Sequence, residues 1–143
     1  SPDGQARLFR IWSEEDQLDN LRLNQDDYTR LAQTLALYGH PEAVTILKQE
    51  KAKLTNPDKR ERFDFIAPAL SNDSEIRAAF FESFRNPENR AKESWVQTAA
   101  AYIHNPLHQK ESIHTLNISL ELLEEIQQTG DIFFPKRWLD ATV

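Results

Sequence analysis

Apolar residues along this chain recur at intervals of three and four rather than in alternation with polar ones, the spacing that lines one face of an α-helix. The first such stretch, Gln5 to Trp12, carries Leu8, Phe9, Ile11 and Trp12, and the acidic run Ser13-Glu14-Glu15-Asp16 follows as a loop. A second helix is predicted from Asn24, whose side chain suits an N-cap, with Asp27 at the third helical position. Its apolar face is Tyr28, Leu31, Leu35 and Tyr38, and Gly39 ends it as a left-handed cap. Pro41 is predicted to open a third helix as a first-turn proline, with Val44, Leu47 and Leu54 marking its buried side.

The boundary chemistry then repeats. Asn56 caps, Pro57 follows, and the fourth helix buries Phe63, Ile66 and Leu70. Pro68 falls late in it and should kink or end it, because proline offers no N–H to the carbonyl of Asp64. A fifth helix starts near Asp73 or Ser74, with Ile76, Phe80 and Phe84 on one face. Asn86-Pro87-Glu88 repeats the Asn-Pro-acidic signal thirty residues after the first. The sixth helix is expected from Glu88 to Ile103, burying Trp95, Val96, Ala99 and Ile103. Asn105-Pro106 breaks the chain before a seventh, near Gln109 to Gln128, with Ile113, Leu116, Leu120 and Leu123 in one stripe that Leu122 and Ile126 widen. Gly130 caps this helix, and Asp131 caps the last, which carries Phe133, Phe134 and Trp138.

About eight helices joined by short connections predict an all-α fold of antiparallel pairs. Pairs recurring at roughly 30 to 40 residues suit an α-α superhelix of the HEAT or armadillo kind. The repeat lies in the boundary signals and not in a repeated core pattern, so an irregular helical bundle is the alternative. Residues 1–4, Ser1-Pro2-Asp3-Gly4, are left out of the fold as a remnant or linker, and residues 5–143 are read as one helical-repeat domain.

Composition narrows the chemistry. The 143 residues include no Cys and no Met, which excludes disulfides and thiolate metal sites. A net charge of −6 argues against nucleic acid as the main partner. The apolar runs are too short to span a bilayer. A soluble chain is expected, with cytoplasmic and periplasmic locations both open. No His is followed by Glu, so the HExxH motif is missing, and glycines at 4, 39 and 130 alone leave no phosphate loop, GxGxxG or GxSxG elbow.

The histidines are His40, His104, His108 and His114. His104 and His108 have a spacing that would place two ligands on one helix face, but Pro106 between them breaks that helix, and surface or cap histidines near a turn is the better reading. The basic stretch Lys48, Lys51, Lys53, Lys59, Arg60 and Arg62 is interleaved with Glu50, Asp58 and Glu61, which fits a solvated helix surface better than a phosphate-binding patch. Glu14-Glu15 and Glu124-Glu125 read as solvated acids. Two sequons occur, Asn72-Asp73-Ser74 and Asn117-Ile118-Ser119, the second in mid-helix. No catalytic, cofactor-binding or metal-ligating residue is assigned.

Several segments carry a resemblance. Asn56-Pro57-Asp58-Lys59-Arg60-Glu61-Arg62-Phe63 with Ala67-Pro68-Ala69-Leu70-Ser71 resembles the C-terminal helical region of bacterial zinc aminopeptidases of the aminopeptidase N type. So do Phe80-Phe81-Glu82-Ser83, Asn89-Arg90 and Glu93-Ser94-Trp95-Val96. The strongest likeness runs from Ser119 through Thr129-Gly130-Asp131-Ile132-Phe133-Phe134-Pro135 to Trp138-Leu139, so that the whole covers roughly residues 24 to 142. The resemblance implies a parent enzyme whose zinc is held by HExxH and a downstream Glu in another domain. This chain would be the non-catalytic domain that covers the active-site opening and shapes peptide access. The implied partners are the catalytic domain of the same parent and its peptide substrate, with no nucleic acid and no membrane, and zinc belongs to the parent alone. Family chains usually continue past the Trp138-Leu139 match. An end cut near Val143 would therefore leave Phe133, Phe134 and Trp138 exposed and favour self-association there. A free-standing helical-repeat adaptor for protein partners is the alternative function, and a helical-repeat nucleic-acid binder is a third.

Overall fold

The computed structural model describes residues 1–107, 112–130 and 134–143, with 112–114 described by backbone only. The described residues are all-helical, without a strand: α1 Pro2–Trp12, α2 Gln25–Leu37, α3 Ala43–Lys53, α4 Pro57–Ile66, α5 Ser74–Glu82, α6 Glu93–Ile103, α7 Ser112–Thr129 and α8 Phe134–Thr142. Short 3-10 turns lie at Ala67–Leu70, Ser83–Arg85 and Pro87–Arg90. The chain forms two compact units, 1–61 and 62–143, divided within α4. Residues 2–4, left out of the fold on sequence grounds, form the first turn of α1, and the Ser1 hydroxyl accepts from the Gly4 N–H at 3.1 Å.

In unit 1 the caps follow the side chains. Asn24 and Asp27 form a reciprocal capping box: the Asn24 carbonyl oxygen accepts from the Asp27 N–H at 3.0 Å, and the Asp27 carboxylate accepts from the Asn24 N–H at 2.9 Å. Gly39 sits at φ 72°, the left-handed conformation expected of it. Pro41 does not open α3, which begins two residues later at Ala43. On the buried side of α3, Leu54 is buried and Leu47 partly buried as expected, and Val44 departs from expectation. Val44 is 81% exposed, whereas Ala43, Ile46 and Glu50 face inward. Trp12, Ala32, Leu35 and Ile46 form the core, with Tyr28, Leu31 and Leu47 partly buried against it.

Glu50 is fully buried and ties the unit together. One carboxylate oxygen accepts from the Gln25 amide at 2.7 Å and the Thr29 hydroxyl at 3.1 Å; the other accepts from the Trp12 indole N–H at 2.9 Å. The Lys53 ammonium lies 3.8 Å from Glu50 and 4.8 Å above the Trp12 ring. Thus α1, α2 and α3 each supply a donor or a cation to one carboxylate. Arg60 closes the end of α3, donating to the carbonyls of Lys51 and Leu54 at 2.9 Å each.

In unit 2, Phe63, Ile66 and Leu70 are buried as expected. The α-helix gives way at Ile66 to a 3-10 turn containing Pro68, where the missing proline N–H interrupts the ladder. Asp73 caps α5, accepting from the Glu75 N–H at 2.9 Å, and Asn86 accepts from Glu88 at 3.1 Å. Pro87–Arg90 is a separate 3-10 turn, however, and α6 starts only at Glu93. Of the face predicted for α5, Phe84 is fully buried, Phe80 is half-buried and Ile76 is exposed, while Phe81 also enters the core. Trp95 is likewise only half-buried.

On α7 the core stripe is Thr115, Ile118, Ser119, Leu122 and Ile126, while Leu120 is 51% exposed. Trp138 is fully buried, stacked on Phe81 with ring centroids 5.6 Å apart, and its indole N–H donates to the Ser119 carbonyl at 2.9 Å. Two further ties brace α7. Arg85 lies 2.7 Å from Glu121, and the buried Arg90 lies 2.8 Å from Glu125 while donating to the Phe84 carbonyl at 2.7 Å. Glu125 is therefore an ion-pair partner as well as a partly solvated acid, its side chain 40% exposed.

Phe134 and Trp138 are both buried, so neither supplies the exposed apolar end expected from the sequence. Phe133, and the capping role given to Asp131, lie outside the described residues, as does the Ile113 side chain.

Two substitutions test these packings. Gly→Ala in a helical context ordinarily stabilises by about 0.5–1 kcal/mol. At Gly130 a Cβ would meet the Phe134 ring at 2.7 Å and the Ile126 carbonyl at 2.9 Å. Gly130→Ala is therefore expected to destabilise by about 1–3 kcal/mol, read as a lower urea midpoint; an unchanged or higher midpoint would show that the contact relaxes at no cost. Glu50→Ala orphans the buried Trp12 donor and weakens the hold on Gln25 and Thr29. A loss of roughly 3 kcal/mol or more is expected, with Trp12→Phe in the Glu50→Ala background costing less than it does in the native chain.

Candidate functional site

The Ser13–Asn24 connection of unit 1 shapes the clearest site-like feature. Two of its non-glycine residues have left-handed backbones, Glu14 at φ 63° and Asn20 at φ 64°, a conformation that costs a side-chain-bearing residue about 1 kcal/mol. The N–H groups of Glu15 and Asp16 donate to the Arg10 carbonyl at 2.8 and 3.0 Å, and the Asp16 carboxylate pairs with the Arg10 guanidinium at 2.9 Å. These bonds fold the loop over the end of α1 and turn Glu14 toward Tyr28. Burial first, then the Glu14 carboxylate that accepts its hydrogen bond, and then Glu50, push the Tyr28 phenol above its ordinary value.

Between this loop and Tyr28 lies an open cavity of about 350 Å³. Its polar lining is Glu14, Asp16, Gln17, Arg22 and Tyr28, and its apolar lining is Leu18, Leu21 and Leu23. A second cavity of about 380 Å³ shares Leu18 and is walled chiefly by Leu8, Ile11 and Tyr38 with the first residues of α1. The sequence reading stopped at the acidic run and passed over this loop. The signal was three leucines within six residues, in a stretch with no helical periodicity to bury them.

The two histidines whose side chains are described, His40 and His104, lie in separate units. His40 lies in the turn after α2, where its Nδ1 accepts from the Glu42 N–H at 3.1 Å and its ring stacks on Phe9 at 5.0 Å. His104 ends α6 as expected of a cap residue, but its ring is turned inward against Phe81 at 4.9 Å. His108 and the side chain of His114 lie outside the described residues. Among the described residues no group of three or more His, Asp or Glu is placed to hold a metal ion.

The basic stretch is divided among separate structural tasks. Lys53 serves Glu50 and Trp12, Lys59 pairs with Asp26 at 2.7 Å, Arg60 closes α3, and Arg62 donates to the Thr98 hydroxyl at 3.3 Å. Of the two sequons, Asn72 is exposed in the loop before α5, whereas Ser119 of the second is fully buried in α7. No helix among the described residues is long and apolar enough to cross a membrane. Comparison with protein-family models, with curated proteins and with solved structures gave no match.

His104 carries a pH dependence. Its Nδ1–H donates to the Ala100 carbonyl at 2.8 Å, and its Nε2 is buried without a partner among the described residues. Burial lowers its pKa from the ordinary 6.5, against a smaller opposing effect of the Ala100 hydrogen bond. The unfolded chain thus takes up a proton that the folded chain refuses, so stability falls as pH drops below the ordinary value and levels off once the folded site also titrates. Urea midpoints are expected to decline between about pH 7 and pH 5 more steeply for the native chain than for His104→Gln. Equal slopes would remove His104 from the acid response.

Proposed function

We propose that this chain is a non-catalytic helical domain of a zinc metallo-aminopeptidase, placed to cover the opening of the parent's active site and to restrict which peptides enter. One observation carries the reading. The segment with the strongest resemblance to that family supplies much of the core of unit 2: Ser119, Leu122, Ile126, Phe134 and Trp138 are all buried. Part of that contiguous segment is thus interior, so the resemblance takes in packed positions as well as surface ones. The all-helical architecture of the described residues agrees with it.

In this role the domain contributes surface and not chemistry: it would exclude water and orient peptides for a zinc site elsewhere in the parent. The family's superhelical arrangement of helix pairs, its bacterial origin and its partnership with a catalytic domain belong to the same proposal. The alternative, a free-standing interaction module, draws on the exposed Leu21 and Tyr38 beside the two cavities of unit 1.

The coding sequence around this segment is expected to contain an upstream HExxH followed by a downstream Glu. The purified chain alone should carry no stoichiometric zinc and release no dye from aminoacyl-anilides. Chelator-sensitive hydrolysis by the isolated chain would overturn its non-catalytic assignment. A full coding sequence without the zinc motif would leave the interaction module as the reading to pursue.

A further inference from the structure

The cavity over Tyr28 holds opposite charges and a cluster of leucines in one place. Arg10 is committed to Asp16. Arg22 also lines the cavity, is exposed, and has no ion-pair partner among the described residues. Glu14 lines the same cavity and is exposed; a carboxylate has about four acceptor positions, so it has capacity for a donor from a ligand. Leu21 is 58% exposed, and Leu18 and Leu23 are half-buried, all three lining the same cavity. Leucines that line a cavity instead of entering the core leave apolar surface that a ligand seated there would remove from water.

We propose that this cavity binds a free α-amino acid with an aliphatic side chain, its ammonium on Glu14, its carboxylate on Arg22 and its side chain among Leu18, Leu21 and Leu23. A guanidinium suits a planar carboxylate because it presents paired N–H donors in a fixed fork. The carboxylate of Glu14 suits a compact ammonium. The leucines set the preference for an aliphatic side chain. At about 350 Å³ the cavity falls within the range of small-molecule sites, which begins near 300 Å³. The left-handed backbone at Glu14 is an energetic cost carried at the position that the ligand would contact. All of the residues invoked lie in unit 1, whereas the packing cited for a parent enzyme lies in unit 2.

The test is titration of the isotopically labelled chain with L-leucine, following backbone amide shifts by NMR. Saturable shifts clustered at residues 14–28 are expected, with a dissociation constant in the range of about 0.1–10 mM for so small a ligand. N-acetyl-L-leucine removes the ammonium charge, leucinamide removes the carboxylate, and glycine removes the side chain; each should bind about tenfold or more weakly. Arg22→Gln and Glu14→Gln should each reproduce that loss at unchanged far-ultraviolet circular dichroism. If Glu14→Gln disturbs the loop through Tyr28, Arg22→Gln still decides, because Arg22 has no ion-pair partner among the described residues. The absence of saturable shifts, equal binding of L-leucine and its two blocked forms, or unaltered binding by Arg22→Gln would each overturn the proposal.

Discussion

A carboxylate removed from water must be matched by donors in the protein, and Glu50 meets that demand from three helices at once. Ionised carboxylates are too costly to bury alone. Here the indole of Trp12, the amide of Gln25, the hydroxyl of Thr29 and the ammonium of Lys53 all surround one group. Each partner lies at a different depth along its own helix, so satisfying Glu50 fixes the helices in azimuth and in register together. Leu35 and Ile46 could pack against other apolar faces in several ways; the polar set fits in one. The same arrangement draws Tyr28, one turn from Gln25, into the field of both Glu50 and Glu14. Tyr28 in turn lines the surface cavity.

Unit 2 reaches the same end with a smaller polar element. Trp138 would be too large for a helix interface unless the opposing position were small, and Ser119 provides that room. The Ser119 carbonyl then accepts the indole N–H, while its hydroxyl turns back to the Thr115 carbonyl at 2.8 Å. Aromatic rings fill the remaining volume, Phe81 flat against Trp138 and Phe84 at its edge. The charged ties of Arg85 and Arg90 lie outside this core. Their worth differs: the exposed Arg85 pair is solvent-screened, whereas Arg90 is buried and anchored to a backbone carbonyl.

Sequence patterns reached the helix ends more surely than the helix faces. Caps depend on a residue and its immediate neighbours, so Asn24 with Asp27, Gly39, Asn56-Pro57, Pro68 and Asp73 could be read locally. Faces depend on what lies opposite. On α3, apolar residues occupy 43, 44, 46 and 47, nearly half the circumference, and periodicity alone cannot choose among them. The choice follows from Glu50, which turns inward to meet Trp12 and thereby turns Val44 outward. A polar residue counts toward the solvent side in any hydrophobic pattern, so Glu50, Arg77 and Arg90 were invisible as interior groups. The shift of the α7 stripe has the same origin, because Ser119 and Thr115 belong to it.

The cavity was illegible for the converse reason. Glu14, Arg22 and the three leucines come from a segment with no regular period, and they meet only because two left-handed backbones bend it over Tyr28. Charge and apolar surface in a regular helix would sort to opposite faces. An irregular loop is freed from that sorting and can present both to one point in space. That mixture is what recognition of a small amphiphile requires, whereas the buried polar groups Glu50 and Arg90 are taken up in holding the fold. The division follows from the cost of leaving buried polar groups unpaired: the interior ones are bonded within the fold, whereas Arg22 stays exposed on the loop.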